Sequence, residues 1–246
     1  RDQLEKGVVY NAPNRHQIRL AKILCERVPS FDLVRFTNSG TEATLNTIRT
    51  ARAFTGKNRF AKVEGGYHGT HDAVTVSVRV DPKVAGDPNE PTPVAGSAGL
   101  ADDVLEHVTI LPFNEPAAAR KILEDNKDQL AAVIVEPLQR MFAPQPGFLE
   151  GLREITARYE IPLIFDEIVT GFRFAYGGAQ EYYGVTPDLC TLGKTIAGGF
   201  PMAAVAGSED LMDQFDRDAV GTEAFVPQIG TLNGNPIAAV AGLATL

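Results

Sequence analysis

The sequence predicts an α/β fold with a mostly parallel central sheet and helices on both of its faces. Three observations carry that prediction. Short runs that are apolar throughout (Ala131 to Val135, Ile161 to Phe165, Leu189 to Leu192 and Met202 to Ala206) have strand length and lack the polar alternation of a half-exposed strand. Amphipathic segments with apolar residues at helical spacing alternate with these runs. Glu136, Asp166 and Lys194 each stand just beyond such a run. Open sheets of this kind bind ligands at the carboxyl ends of their strands, so three ionisable groups converge on one edge.

The elements follow in order. Positions 14 to 28 carry Ile18, Ala21, Leu24, Cys25 and Val28 on one helical face. Phe36 leads into Thr37-Asn38-Ser39-Gly40-Thr41-Glu42-Ala43, which opens a helix running to Phe54 and stopped at Gly56. A short strand is expected at 59 to 63, followed by a turn at Gly65-Gly66-Tyr67-His68-Gly69. Positions 81 to 99, within a wider span of about 75–103, are rich in Pro, Gly, Ala and Asp and read as a long, lid-like loop. Then come a strand at 108 to 112, a helix at 116 to 126 and the run ending at Glu136-Pro137. A helix follows at 148 to 159, with Leu149, Leu152, Ile155 and Tyr159 on one face. Two further strands end at Asp166-Glu167 and Gly193-Lys194. The last segment, from Pro236 to Leu246, is apolar at helical spacing.

Composition narrows the function classes. Hydrophobic residues at 44% and charged residues at 22% are ordinary for a globular chain. The formal net charge of −8 disfavours nucleic acid as a partner. No apolar run approaches a membrane span, so no membrane partner is expected. Cys25 and Cys190 are far apart in apolar contexts and read as buried thiols of a reducing, cytoplasmic compartment, neither a disulfide nor a metal pair. No secretory signal is visible, although the sequence begins at Arg1.

Lys194 admits two readings, a solvated loop lysine or an amine held in a tight turn for covalent or phosphate chemistry. A nucleotide-binding loop ending in Gly193-Lys194-Thr195 needs a glycine five residues before Gly193, and that position is Asp188. The chemistry that remains is a Schiff base with a carbonyl cofactor or substrate. Asp166 is either a solvated strand end or a carboxylate held against a buried cation. A pyridine-ring cofactor needs both an acid at its ring nitrogen and a lysine at its aldehyde. Ser39 with Glu42 forms a capping box, and the same helix start offers amides and two hydroxyls to a phosphate. Tyr67-His68 are core residues or an aromatic stacked on a planar ligand.

Taken together, Asn38-Ser39-Gly40-Thr41-Glu42-Ala43, Tyr67-His68-Gly69, Phe165-Asp166-Glu167, Leu192-Gly193-Lys194 and Gly230-Thr231-Leu232-Asn233-Gly234-Asn235-Pro236 resemble the motifs of class III pyridoxal-phosphate-dependent aminotransferases of fold type I. Within that class the chain is most similar to the glutamate-1-semialdehyde 2,1-aminomutase-like aminotransferases, a likeness that Thr170-Gly171-Phe172-Arg173 shares. The resemblance implies pyridoxal 5'-phosphate as cofactor. Lys194 would carry it as a Schiff base and shuttle the proton, with Asp166 at the ring nitrogen. Ser39, Gly40 and Thr41 would bind the phosphate. Tyr67 would stack on the ring beside His68, with Ile168 or Val169 on the opposite face. Glu136 would lie near the cofactor's oxygen side and the substrate. Thr231 would reach the cofactor of the neighbouring subunit of a homodimer. Residues 1–246 would form the large cofactor-binding domain of a longer protein whose N-terminal segment and small C-terminal domain lie outside this chain.

One segment departs from the aminomutase pattern. Where that pattern has a Gly-Asn pair, this chain reads Glu136-Pro137-Leu138-Gln139-Arg140-Met141-Phe142. Gln139 would take over the contact to the ring oxygen. Arg140 is either an exposed loop residue or a ligand for a substrate carboxylate. The departure favours a transaminase that moves an amino group from an amino acid or amine to a keto or aldehyde acceptor. The alternatives are the aminomutase, which moves it within one substrate, and a fragment that binds ligand without catalysis.

Overall fold

The structure is a computed structural model that describes residues 2–10 and 12–246. Its strands are β1 (Leu33–Thr37), β2 (Arg59–Val63), β3 (Gly86–Asp87), β4 (Glu90–Pro91), β5 (Val108–Leu111), β6 (Leu130–Val135), β7 (Leu163–Glu167), β8 (Leu189–Leu192) and β9 (Ala203–Gly207). The helices are α1 (Asp2–Glu5), α2 (Arg15–Arg27), α3 (Gly40–Thr55), α4 (Pro116–Asn126), α5 (Phe148–Arg158), α6 (Ala179–Tyr183), α7 (Glu209–Met212), α8 (Arg217–Ala224) and α9 (Pro236–Thr245).

Seven strands form one sheet in the order β1-β9-β8-β7-β6-β2-β5. The five from β5 to β8 run parallel. β9 is antiparallel to β8, and β1 is antiparallel to β9. The expected mostly parallel sheet is therefore present, with an antiparallel border on one side. β1 lacks the sequence mark of a buried strand because Arg35 interrupts it and Leu33 is exposed.

Alternation along the strands sorts the side chains into two layers. On one face Ala61, Val133, Val135, Leu163, Phe165, Cys190 and Leu192 pack with apolar residues of α2, α4, α5 and α9. On the other, Phe60, Ala132, Ile134, Ile164 and Leu189 pack with Ala43, Ile48 and Ala51 of α3 and with Leu211 and Met212 of α7. Helices thus cover both faces, as the uniformly apolar strands require. Asp166 and Thr191 project on the α3 face, and Glu167 projects on the opposite one.

The span 75–103 is less structureless than its composition implies. Gly86–Asp87 and Glu90–Pro91 pair antiparallel, Ser77 and Val94 exchange hydrogen bonds, and Pro91 is buried. The Asn89-Glu90-Pro91 corner lies beside Val108 to Ile110 at the β5 border of the sheet.

Candidate active site

A cleft of ≈ 250 Å³ opens on the α3 face at the carboxyl ends of the parallel strands. Gly40, Thr41, Thr44, Tyr67, His68, Gly69, Glu136, Asp166, Ile168, Val169 and Lys194 line it. Nine of the cofactor and substrate positions expected from sequence thus meet in one place: Gly40, Thr41, Tyr67, His68, Glu136, Asp166, Ile168, Val169 and Lys194.

Asp166 is almost fully buried at the end of β7. One carboxylate oxygen accepts from Thr191 Oγ1 at 2.9 Å and from the Ile168 amide at 3.2 Å. The other lies 2.8 Å from His68 Nδ1. His68 Nε2 is buried and has no hydrogen-bond partner among the described residues. The buried Asp166 carboxylate borders the cleft, while His68 Nε2 lies against Gly66 near Gln139 Oε1.

Glu136, at the end of β6, is also buried, and burial pushes its carboxyl above the usual range. His68 and a hydrogen bond from the Tyr67 amide, at 2.8 Å, oppose that shift. Tyr67 is half exposed and lines the cleft.

α3 begins at the cleft. Ser39 Oγ accepts from the Glu42 amide at 3.2 Å, and Glu42 Oε2 accepts from the Asn38 amide at 2.9 Å. The capping carboxylate closes one residue earlier than the usual box. The Gly40 and Thr41 amides have no acceptor within the helix and lie at its positive end, the arrangement that attracts an anion. The floor there is tight. A Cβ on Gly69, whose φ is 104°, would stand 2.6 Å from Thr41 Oγ1.

Lys194 follows β8, between Gly193 and the turn closed by Gly198. Its own φ is 41°, in the left-handed region that non-glycine residues avoid. A Cβ on Gly193 would come 2.8 Å from Ile168 Cδ1, so that glycine lets the chain pass close beneath the cleft wall.

The remaining expected positions lie elsewhere. Ser39 caps α3 and is outside the cleft lining. Gln139 is buried with its side chain turned away, donating to the Glu64 carbonyl at 2.7 Å. The short hairpin that bears it explains this, because Gln139 and Phe142 bond each other's backbones around Arg140 and Met141. Both turn residues have positive φ, 47° and 73°. Arg140 is exposed, with its guanidinium 5.9 Å from the Tyr67 ring centre. Thr231 is exposed on a turn outside the cleft. Thr44 also lines the cleft, and Thr191 stands behind Asp166. Thr44 Oγ1 donates to the His68 carbonyl at 2.6 Å and Thr191 supports Asp166, yet nothing local distinguishes either from an ordinary core threonine.

Fold and cleft together define an α/β domain that gathers a lysine, a buried acid and a helix N-terminus at the edge of a parallel sheet. The chain belongs to the class-III aminotransferases, whose family model matches residues 1–246. It is 46% identical to glutamate-1-semialdehyde 2,1-aminomutase of Methanocaldococcus jannaschii over all of this chain and 56% of that protein. It superposes on an omega-transaminase from Sphaerobacter thermophilus with a TM-score of 0.93 at 44% identity, covering 99% of this chain and 56% of the other. A transaminase solved with PLP bound gives a TM-score of 0.89 at 33% identity, again over 99% and 56%. The chain therefore spans about 56% of the length of the relatives it matches. No helix among the described residues is long and apolar enough to cross a membrane.

Proposed function

We propose that this chain forms the large cofactor-binding domain of an aminotransferase that uses pyridoxal 5'-phosphate in the cleft described above. The observation that carries the reading is the placement of Asp166 and Lys194 at the ends of adjacent parallel strands, facing the start of α3. The Gly40 and Thr41 amides at the start of α3 fit such a group, having polar valences to spare where its phosphate would lie. Pyridoxal phosphate supplies an aldehyde that condenses with amines and a protonated ring that takes up the electron pair released at the substrate carbon.

The protein's own residues do the rest. Gly40 and Thr41, with Ser39 behind them, hold the phosphate. Asp166 keeps a proton on the ring nitrogen, while Thr191 and His68 hold its carboxylate in place. Tyr67 covers one ring face, and Ile168 and Val169 support the other. Lys194 Nζ would hold the cofactor, and as a free amine it would take the proton from the substrate carbon and return it. Glu136 bounds the substrate side, and Gln139 holds the wall behind it through Glu64. The amino group passes from an amino acid or amine to a keto or aldehyde acceptor in two half-reactions.

Arg140 favours a substrate that carries a carboxylate, because its guanidinium has no acidic partner among the described residues and stands at the Tyr67 side of the mouth. Arg140→Ala is expected to raise KM for a carboxylate-bearing donor on the order of 10- to 100-fold and to leave an amine without a carboxylate nearly unaffected. Aminomutase is the second reading, supported by the 46% identity to the M. jannaschii enzyme. We also place the protein in a homodimer, with exposed Thr231 reaching the neighbouring cofactor beside exposed Ile229 and Leu232. A cytoplasmic setting suits the two free thiols, Cys25 and Cys190.

The test uses the full-length protein purified with cofactor. Borohydride treatment should fix the cofactor on the Lys194 peptide, and Lys194→Ala should abolish both fixation and turnover. A different fixation site would overturn the assignment. Product formed from glutamate semialdehyde without an external acceptor would replace the transaminase reading by the aminomutase one.

A further inference from the structure

Lys62 is a fully buried lysine in the middle of the sheet. It lies on β2 and points to the α3 face with Phe60, among Ile110, Ile134 and Val74. Its Nζ donates to the carbonyls of Gly66, Val74 and Val76 at 2.9, 3.2 and 2.6 Å. Among the described residues its hydrogen-bond partners are these three carbonyls and no carboxylate. The charges that bear on it are Glu136, which favours its protonated form, and Arg140, which opposes it. Burial pushes its pKa down to about 7, against which three carbonyl oxygens aimed at one nitrogen favour the ammonium.

The three carbonyls belong to the two ends of one loop. Gly66 stands at its start, and Val74 and Val76 stand at its finish. The neck is further closed by the Gly65 amide, which donates to the Ser77 carbonyl at 2.8 Å. Between the ends lie Tyr67, His68 and Gly69, the wall of the cleft. An ammonium has three donors, one for each carbonyl, and no neutral side chain of this length supplies three from one atom. Left unpaired in the interior, each carbonyl would favour an open loop in which water reaches it.

We propose that Lys62 is a positioning residue of the active site, whose buried ammonium ties the two ends of the 66–76 loop together and so fixes Tyr67 and His68 in the cleft. The role of those two residues rests on the cofactor reading given above, but the tie itself does not. It also explains why a charged side chain occupies a strand position that packing alone would fill with valine or isoleucine.

The experiment is hydrogen exchange read by mass spectrometry on the full-length holoprotein, comparing wild type with Lys62→Met and Lys62→Arg. In Lys62→Met the 66–77 peptide is expected to exchange on the order of 100-fold faster, with β6 and α5 unchanged. Cofactor affinity should fall about tenfold and the visible band of the bound cofactor should shift, with partial recovery in Lys62→Arg. A folded Lys62→Met with wild-type loop protection overturns the tie. A loosened loop with unchanged affinity and spectrum overturns the positioning role. If Lys62→Met does not fold, the wild-type pattern decides: protection of 66–77 close to that of β2 supports the tie, and exchange as fast as that of 81–99 overturns it. Failure of the cofactor reading would appear separately, as wild-type protein that holds no cofactor.

Discussion

Asp166 and Glu167 are neighbours at the end of the same strand, both almost fully buried, and they serve opposite faces of the sheet. Asp166 draws its side-chain partners from Thr191 and His68, 25 and 98 residues away, and it borders a cleft. Glu167 is enclosed by its own downstream chain. It accepts from Thr170 Oγ1, from the Ala179 and Gln180 amides and from Gln180 Nε2. Even a Cβ on Gly178 would press against it, at 2.7 Å. One carboxylate joins distant elements and keeps room for a ligand. The other organises the segment that leads from β7 into α6. Burial depth does not separate the acid proposed to meet the cofactor from the one that organises its own chain; the origin of its partners does.

Substitution can break that contrast. On the role proposed for Asp166 at the ring nitrogen, Asp166→Asn is expected to lower kcat on the order of 1,000-fold while costing less than about 2 kcal/mol of stability. Steady-state kinetics and urea unfolding on the same preparation check both halves. A large stability loss with modest kinetic change would make Asp166 the structural partner. Glu167→Ala should reverse the pattern, destabilising by about 3 kcal/mol through unpaired buried donors while the folded fraction keeps its cofactor spectrum.

The smallest effect is a matter of pH. Burial raises the Glu167 carboxyl above its ordinary 4.5, although four hydrogen bonds oppose the shift. The folded chain therefore binds that proton more tightly than the unfolded chain does. The resulting stability is fully present below about 4.5 and is lost as pH rises through the raised folded value. Urea midpoints measured across that window should fall with pH in wild type, and the slope should flatten in Glu167→Gln. An unchanged slope would assign the titration to another group.

Much of this was legible in the chain. Strands buried on both faces announce themselves as apolar runs, and β8 begins and ends where Leu189 to Leu192 predicts. The residues at the ends of β6, β7 and β8 were readable because an open sheet gathers strand ends at one edge. What escaped depends on partners distant in sequence. β1 carries Arg35 and finds its place only through β9, whose antiparallel direction no composition reveals. Nothing local marks Lys62 as buried; the loop carbonyls that hold it come from beyond its strand. Gln139 reads as a ligand for the cofactor until a tight hairpin turns it toward Glu64. The lid-like 75–103 span reads as featureless until Pro91 packs into the β5 border.

The left-handed backbone at Lys194 has a consequence beyond the reaction. A side chain at φ 41° costs on the order of 1 kcal/mol that glycine or asparagine would not. Under selection for heat resistance alone, position 194 should be among the early substitutions, drifting to Gly or Asn. Persistence of lysine there through such a selection would mark a pressure other than stability acting on the protein.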